Sequence, residues 1–186
     1  MKRNLLFAAV LFLVSVYSYS QLSWNWMHPT PQGNTLRYTK MFSVTDWVAV
    51  GYGGTFMKTT NAGVNWYITH NAAGVKTTSQ ISLYNAHFFN MTTGIVCGSS
   101  GQIWRTTNGG LNFDSIPSGV TATLYGIHFI DASTGFIGGS SGTVLKTTNA
   151  GVNWTAMTTG VTYTINNIFV LNNRVYCHTS TASILL

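Results

Sequence analysis

The sequence predicts an all-β fold, namely a β-propeller of four-stranded antiparallel blades. A nine-residue phrase, KTTNAGVNW, occurs unchanged at Lys58–Trp66 and Lys146–Trp154, and a close variant, RTTNGGLNF, lies between them at Arg105–Phe113. Before each copy come two apolar strand patterns and a Gly-x-x-Gly turn. Four strands therefore recur at intervals of roughly 40 to 50 residues, which is the spacing of propeller blades.

The repeated phrase predicts a β-hairpin. In the first copy, Thr59 favours a strand because β-branched residues suit the pleated backbone. Asn61 is expected to begin a turn by accepting a hydrogen bond from the backbone N–H two residues on. Gly63 is expected to adopt a positive φ, which a Cβ atom resists, and Trp66 to cover its own hairpin with its ring.

The three copies resemble the Asp-box, or bacterial neuraminidase repeat, whose pattern is Ser/Thr-x-Asp-x-Gly-x-Thr-Trp/Phe. Asn replaces the Asp in every copy, and a second Asn replaces the later Thr. Asn keeps an acceptor oxygen for the turn but has no charge for a metal ion. The resemblance implies a structural role for twelve residues: Thr59, Asn61, Gly63, Trp66, Thr106, Asn108, Gly110, Phe113, Thr147, Asn149, Gly151 and Trp154.

Residues 1–20 have the pattern of a cleaved secretory signal peptide. A basic start precedes the apolar run Leu5–Tyr17, and the small residues Ser18 and Ser20 follow it. A membrane anchor is the alternative, but the run is shorter than the ~20 residues that a spanning helix needs. We therefore expect a secreted, periplasmic or cell-surface protein that begins at Gln21 and has no membrane span after cleavage.

Composition narrows the function classes. Charged residues make up 6% of the chain, and its three acidic residues are Asp46, Asp114 and Asp131. The net charge of +6 comes from scattered Lys and Arg rather than from a basic run or helix, so nucleic-acid binding is not expected. No long stretch has a 3.6-residue apolar period, and we expect few helices.

Alignment outward from the boxes divides the chain into blades. The inner strands are predicted at Leu36–Phe42, Leu83–Phe89 and Leu124–Ile130, and the second strands at Trp47–Val50, Gly94–Cys97 and Gly135–Gly138. The predicted segments are 21–34 (an outer strand at Leu22–Trp26 and a linker), 35–70 (blade 1), 81–117 (blade 2), 122–158 (blade 3) and 163–186 (partial blade 4). A longer loop is predicted around Asn71–Ser79.

Two arrangements of these blades remain open. Leu22–Trp26 would complete the fourth unit in a closed four-bladed ring. In the favoured arrangement, about three and a half to four blades form an open arc of a larger ring, because the fourth copy has strands only at Ile165–Leu171 and Arg174–His178 before a short stub. An arc leaves blade faces and strand edges unpaired, so self-association is expected.

Beyond the boxes, the chain resembles the photosystem II stability/assembly factor-like propeller family, in its secreted bacterial form. The resemblance rests on HPTPQGNTL at His28–Leu36, followed by a strand, the Gly-x-x-Gly turn and Lys-Thr-Thr-Asn, and it covers nearly all of residues 21–186. It implies a propeller fold. In the plant and cyanobacterial members it further implies seven blades and an assembly chaperone with an arginine-rich face. After the signal peptide this chain has three arginines, Arg37, Arg105 and Arg174, and the third unit has none.

No set of residues predicts an active site. Glycosidases generally need two carboxylates, whereas each of the three aspartates lies in or beside a predicted turn. Gly138–Gly142 matches Gly-x-Ser-x-Gly by letter, but a nucleophile elbow joins a strand to a helix and this segment joins two strands. We expect no catalytic residue, cofactor or metal, and a non-enzymatic binding or assembly module for a protein or glycan partner. The alternatives are a photosystem II assembly-factor-like chaperone and, least favoured, a sialidase-like glycoside hydrolase.

Two sets of equivalent side chains are weak candidates for ligand binding. His87 and His128 share a position on inner strands with Lys40, but no third metal ligand is visible and a structural role is favoured. One cation per unit precedes each box, at Lys58, Arg105 and Lys146. These three cations could line an anion-binding face, and the favoured interpretation is that their stems cover apolar surface.

The two cysteines, Cys97 and Cys177, invite a disulfide in an exported protein. They lie in the second and fourth units, so a whole blade should separate them by more than the ~7 Å that a bridge allows between Cα atoms. We predict free, packed thiols.

Overall fold

The computed structural model describes residues 33–70, 81–172, 174–179 and 183–185. The predictions for the signal peptide, the outer strand at Leu22–Trp26 and the loop at Asn71–Ser79 lie outside the described residues. None of the described residues forms a helix long and apolar enough to cross a membrane.

Within the described residues, fifteen strands and three short 3₁₀ turns make up the regular structure. In chain order the strands are β1 Leu36–Met41, β2 Trp47–Gly51, β3 Thr55–Thr59, β4 Tyr67–Thr69, β5 Leu83–Phe88, β6 Gly94–Gly98, β7 Ile103–Thr106, β8 Asp114–Ile116, β9 Leu124–Phe129, β10 Gly135–Gly139, β11 Val144–Thr147, β12 Thr155–Met157, β13 Ile165–Leu171, β14 Arg174–Thr179 and β15 Ser183–Leu185. The first three inner strands are one residue shorter than predicted, and the second strands of all four units are one residue longer.

The strands form four sheets, and each sheet follows chain order. Three sheets have four strands (β1 to β4, β5 to β8 and β9 to β12), and the last contains β13, β14 and β15. All sequential pairs within a sheet are antiparallel. The inner strands stand side by side: Lys40 Nζ on β1 donates to the Phe88 carbonyl on β5 at 2.5 Å, and Asn85 Nδ2 on β5 donates to the Tyr125 carbonyl on β9 at 3.2 Å. The predicted all-β fold, an incomplete propeller of four-stranded antiparallel blades, is confirmed.

The hydrophobic core lies between consecutive sheets. One cluster joins Val48, Val50 and Phe56 of the first sheet to apolar side chains of the second, including Phe88 and Trp104. The second sheet uses its other face in the next cluster, which contains Ile95, Cys97, Ile103, Ile127, Ile137, Leu145 and Trp154. A third cluster joins Phe136 and Val144 of the third sheet to Ile165, Ile168, Val175 and Cys177 of the fourth. Because the second and third sheets are covered on both faces, β6 and β10 are buried along their whole length.

The three Gly-x-x-Gly turns connect the second strand of a sheet to its third. Each contains a left-handed residue before its last glycine, namely Gly53, Ser100 and Ser141, with φ of 64°, 56° and 55°. In the second and third sheets, the first serine of the turn accepts a hydrogen bond from the chain that enters the inner strand. The turn thereby holds the start of that strand.

The cysteines are free, as predicted. Cys97 packs between the second and third sheets and Cys177 between the third and fourth, so the sheet of β9 to β12 separates them. Burial raises the pKa of Cys97 to about 12 and that of Cys177 to about 11, so both thiols stay protonated in the folded protein.

Candidate functional site

The four sheets place their connections at two opposite ends of the molecule. We call the three hairpins formed by the repeated phrase the box hairpins and the end that carries them the box end; this end also carries the turns between first and second strands. We call the end with the three Gly-x-x-Gly turns the Gly-turn end, and there the inner strands begin. The sequence-predicted cations Lys58, Arg105 and Lys146 all lie near the box end.

Each box hairpin is held by the same four hydrogen bonds. Thr59 Oγ1 donates to Asn61 Oδ1 at 3.0 Å and accepts from the N–H groups of Asn61 and Gly63 at 3.3 and 2.9 Å. Asn61 Oδ1 also accepts from the Asn65 N–H at 2.8 Å. The same pattern recurs at Thr106, Asn108, Gly110 and Asn112 and at Thr147, Asn149, Gly151 and Asn153.

The predicted acceptor in this turn was wrong. The N–H two residues after Asn61 binds the threonine hydroxyl, and the asparagine oxygen takes the N–H four residues on. The threonine can accept twice because its own proton is directed at Asn61 Oδ1. Positive φ at Gly63, Gly110 and Gly151, at 81°, 83° and 76°, agrees with the sequence expectation.

The box residues also touch the preceding sheet. Phe113 packs edge-to-face on Phe56 of the first sheet, with ring centroids 5.3 Å apart, and is 5% exposed. Trp154, 8% exposed, lies in the cluster between the second and third sheets. The sequence predicted that the aromatic residue covers its own hairpin, and the structure adds a contact with the preceding sheet, because in a propeller this hairpin faces a neighbouring sheet. Trp66, in the first sheet, is half-buried and lies 6.2 Å from Trp47 between ring centroids.

A second left-handed residue in the box suggests a stabilising change. Ala150 has φ of 56° just before Gly151, whereas the second box has Gly109 at this position with φ of 71°. A left-handed conformation costs an L-residue ~1–2 kcal/mol, and the extra freedom of an unfolded glycine offsets part of that. We expect Ala150→Gly to raise the free energy of unfolding by about 0.5–1 kcal/mol in urea denaturation.

Ala132→Gly is the matched control for this change, since Ala132 is an exposed turn residue outside the set with positive φ. It should be neutral or destabilising. Equal effects of the two substitutions would mean that the left-handed conformation at Ala150 carries no strain.

Two of the three cations near the boxes reach toward the next sheet. Lys58 Nζ donates to the Met91 carbonyl of the second sheet at 3.4 Å, and Arg105 Nε donates to the Ala150 carbonyl of the third box at 3.4 Å. Lys146 is exposed, with Nζ 5.8 Å from the Phe136 ring centroid. Lys58 and Arg105 thus contact backbone carbonyls across a seam between sheets, and the three cations do not converge on one point.

The histidine of the second inner strand, His87, lies among aromatic rings. The His87 ring lies 4.9 Å from Phe89 and 4.8 Å from Phe129 between centroids. Burial, with smaller effects of Lys40 and His128, lowers the pKa of His87 to about 4, and burial also lowers the pKa of His128. Among the described residues, no three His, Cys, Asp or Glu side chains form a group that could hold a metal ion.

The low pKa of His87 predicts a loss of stability in mild acid. The unfolded histidine takes up a proton near pH 6.5, whereas the folded histidine takes one up only near pH 4. The contribution of neutral His87 to the free energy of unfolding is therefore present in full above pH 6.5 and is lost as the pH falls toward 4. After allowance for partial contact with water, we expect a loss of about 1–2 kcal/mol over that interval. His87→Phe should reduce this loss, because phenylalanine takes up no proton. We choose phenylalanine because Phe169 has the equivalent place on β13.

The measurement is urea denaturation at several pH values between 7 and 4.5. Asp131, whose pKa is held at about 2, does not change its charge there in the folded protein. If the free energy of unfolding depends on pH in the same way in the wild type and in the His87→Phe variant, His87 is not the group that causes the loss.

The three aspartates do not form a pair. The Asp131 carboxylate accepts from the N–H groups of Thr134 and Ser133, both at 2.7 Å, which holds its pKa low. Asp46 accepts from the hydroxyls of Ser43 and Thr45 at 2.5 and 2.8 Å, and these bonds lower its pKa. Asp114 begins β8, and each aspartate belongs to a different sheet.

A groove of about 450 Å³ lies between the first two boxes. It is lined by box residues, among them Lys58, Asn61, Trp66, Asn108 and Leu111. Most of these polar groups take part in the hairpin hydrogen bonds, and no aspartate lines the groove. A second groove, of about 390 Å³ beside β9 and β13, contains Asp131 as its one carboxylate.

The sequence reasoning missed a row of aromatic side chains at the Gly-turn end. We call Arg37, Tyr52, Tyr84 and Tyr125 the tyrosine row. The ring centroids of Tyr52 and Tyr84 are 5.8 Å apart and those of Tyr84 and Tyr125 are 5.0 Å apart, both edge-to-face. The Arg37 guanidinium lies 4.6 Å from the Tyr52 centroid and 5.6 Å from that of Tyr84.

The signal for this row was present in the repeat alignment. Arg37, Tyr84 and Tyr125 each follow the leucine that begins an inner strand, so neighbouring inner strands place them side by side. Tyr52 comes from the first Gly-x-x-Gly turn, and its approach to Tyr84 depends on how two sheets pack.

Comparison with known proteins identifies the fold. No family model matches the chain, and no curated protein matches it. Among solved structures, YCF48 bound to D1 peptide matches with a TM-score of 0.65 and 19% identity, over 81% of this chain and 48% of that one. YCF48 from Cyanidioschyzon merolae matches with a TM-score of 0.61 and 17% identity, over 85% and 57% of the two chains.

A third similar structure is an ancestral GH74 enzyme, with a TM-score of 0.64 and 16% identity over 82% of this chain and 23% of that one. The chain thus spans about half the length of the YCF48 structures and less than a quarter of the GH74 enzyme. At these identities the likeness concerns the propeller fold alone.

Proposed function

We propose that this protein is a non-enzymatic propeller that binds another protein outside the cytoplasm. The observation that carries the proposal is the tyrosine row, where three tyrosine rings and an arginine are gathered on one end of the fold. Tyrosine and arginine are enriched in protein interfaces and dominate their binding energy.

Two further observations support binding rather than hydrolysis. The aspartates lie on three different sheets, and Asp46 and Asp131 are held in hydrogen bonds of their own turns, whereas glycoside hydrolysis generally needs two carboxylates within about 10 Å across one bond. In addition, a YCF48 propeller of similar fold has been solved with a bound D1 peptide. The GH74 likeness has less weight, because one fold carries many functions.

The experiment has a catalytic arm and a binding arm. The purified protein should release no fluorophore from a panel of fluorogenic glycosides. Chemical cross-linking in intact cells, followed by affinity purification, should capture a defined exported protein at constant stoichiometry. Sugar release would overturn the non-enzymatic proposal and favour the glycosidase alternative. A photosystem subunit as the captured partner would favour the assembly-chaperone alternative.

Export follows from the predicted signal peptide, and mass spectrometry of the protein from the native host tests it. The expected N-terminus is Gln21. A mature protein that retains Met1 or Lys2 would contradict export through this signal.

We also expect the exported protein to self-associate. Phe169 on the last sheet is 43% exposed and stacks on Tyr176, and Met41 on the first sheet is 60% exposed. Exposed apolar side chains of this size on the first and last sheets favour association between copies of the protein. Light scattering should show a mass that rises with protein concentration. Phe169→Asp should lower the mass measured at a given concentration. A monomer at all concentrations with a single cooperative melt would contradict the open arc.

A further inference from the structure

We propose that the tyrosine row binds an extended acidic peptide segment, with a carboxylate on Arg37 and apolar or proline side chains along the three rings. This inference rests on the proposed protein-binding function and names its site and ligand chemistry. It concerns the Gly-turn end, opposite the box hairpins.

The arginine is held in place by the rings beside it. Its guanidinium lies over Tyr52 and beside Tyr84, and Nη2 donates to the Tyr52 hydroxyl. A guanidinium has five N–H donors in a planar fork that matches a carboxylate. The hydrogen bond to Tyr52 uses one donor, so further donors are oriented for a ligand while the side chain is exposed. Stacking also reduces the conformational entropy that Arg37 loses on binding.

Charge favours an acidic ligand at this end. All three aspartates of the chain belong to the box end: Asp46 and Asp131 lie in turns between first and second strands, and Asp114 follows the second box. Among the described residues, Arg37 is the one Lys or Arg at the Gly-turn end, and no carboxylate there neutralises it. Residues 21–186, which remain after the predicted cleavage, have seven Lys and Arg residues and three Asp residues, a net charge of +4.

The spacing of the rings suits an extended chain. Successive centroids lie 5.8 and 5.0 Å apart, so the row spans at most about 11 Å across three sheets. Alternate residues of a polyproline II segment are about 6 Å apart, and a proline-rich segment binds aromatic surfaces at a low entropic cost. Three or four residues would therefore cover the rings and place an acidic residue or a terminal carboxylate beside Arg37.

The hydroxyl groups give the row a polar edge. All three tyrosines are half-buried, so their rings have apolar faces for contact and phenol groups near water. Burial and the neighbouring phenols raise the pKa of Tyr84, and its hydroxyl is a neutral hydrogen-bond donor at physiological pH. Phenol donors next to a guanidinium suit the carbonyl and carboxylate oxygens of a peptide.

The test uses an array of random octapeptides with free carboxyl termini, probed with the purified protein. The strongest binders should combine a carboxylate with proline or aromatic residues, and their affinity is then measured in solution by fluorescence anisotropy. Arg37→Gln should weaken binding about 10- to 100-fold, the range for a charged hydrogen-bonding group. Arg174→Gln makes the same charge change at an exposed arginine of the box end and should alter affinity less than twofold.

A second pair of variants tests the rings. Tyr84→Phe keeps the aromatic face and should retain most of the affinity, whereas Tyr84→Leu should lose about tenfold. Thermal melting of each variant shows whether it is folded, and Arg37→Gln, which alters an exposed side chain, should melt like the wild type.

The outcomes separate this site from the general function. Equal effects of Arg37→Gln and Arg174→Gln would overturn the site and leave protein binding in place. Selected peptides without carboxylates, or binding of neutral oligosaccharides in preference to peptides, would overturn the ligand class. Absence of any peptide binding would overturn this inference, and it would overturn the proposed function as well if cross-linking in cells also captures no partner.

Discussion

Replacement of Trp154 by alanine should lower the free energy of unfolding by about 3–5 kcal/mol, the range for a buried aromatic residue. The side chain is 8% exposed and packs with Phe129, whose ring centroid is 6.0 Å away, in the seam between the second and third sheets. Loss of the indole would leave a cavity that both sheets line. Urea denaturation followed by circular dichroism measures the change.

Two matched variants locate the cause. Trp154→Phe should cost less than about 1.5 kcal/mol, because the second box has Phe113 at this position and no described residue accepts a hydrogen bond from the Trp154 indole N–H. Trp66→Ala should cost less than Trp154→Ala, since Trp66 is half-buried. Equal losses at Trp66 and Trp154 would show that the aromatic residue stabilises its own hairpin and not the seam.

Replacement of Gly110 by alanine should destabilise the fold by about 2–5 kcal/mol. Its φ of 83° costs an L-residue ~1–2 kcal/mol, and a clash in a packed core adds ~1–3 kcal/mol. A Cβ atom there would lie 2.0 Å from Phe56 Cε1. Phe56 is fully buried between the Phe88 and Phe113 rings, so it has little room to move.

Gly119→Ala separates the two contributions. Gly119 has a similar φ of 74° but has no atom within 4 Å of an added Cβ. It should therefore cost only the backbone part, ~1–2 kcal/mol. The difference between the two variants measures the contact between the second box and the first sheet. If the variants lose the same stability, that contact does not hold the sheets together.

The sequence predicted correctly those features of the structure that depend on residues close together in the chain. Turns, strand alternation and glycine conformations depend on residues a few positions apart, so the three boxes, the four sheets and the positive φ of Gly63 could be read directly. The separation of Cys97 and Cys177 followed from counting repeats, because a repeat fold turns sequence distance into blade order. The hydrogen bonds of the turn were less predictable, since the Thr59 hydroxyl and the Asn61 amide compete for the same N–H groups.

The sequence by itself determined the class of fold, the unit that repeats and the scarcity of carboxylates. Only the tertiary structure decided which contacts each unit makes with the neighbouring units. Phe113 and Trp154 enter seams with the preceding sheet, Lys58 and Arg105 reach across to carbonyls of the next one, and Tyr52 meets Tyr84 from a different sheet. These contacts join residues more than thirty positions apart, and their geometry depends on how two sheets twist and stack, which a pattern within one repeat does not encode.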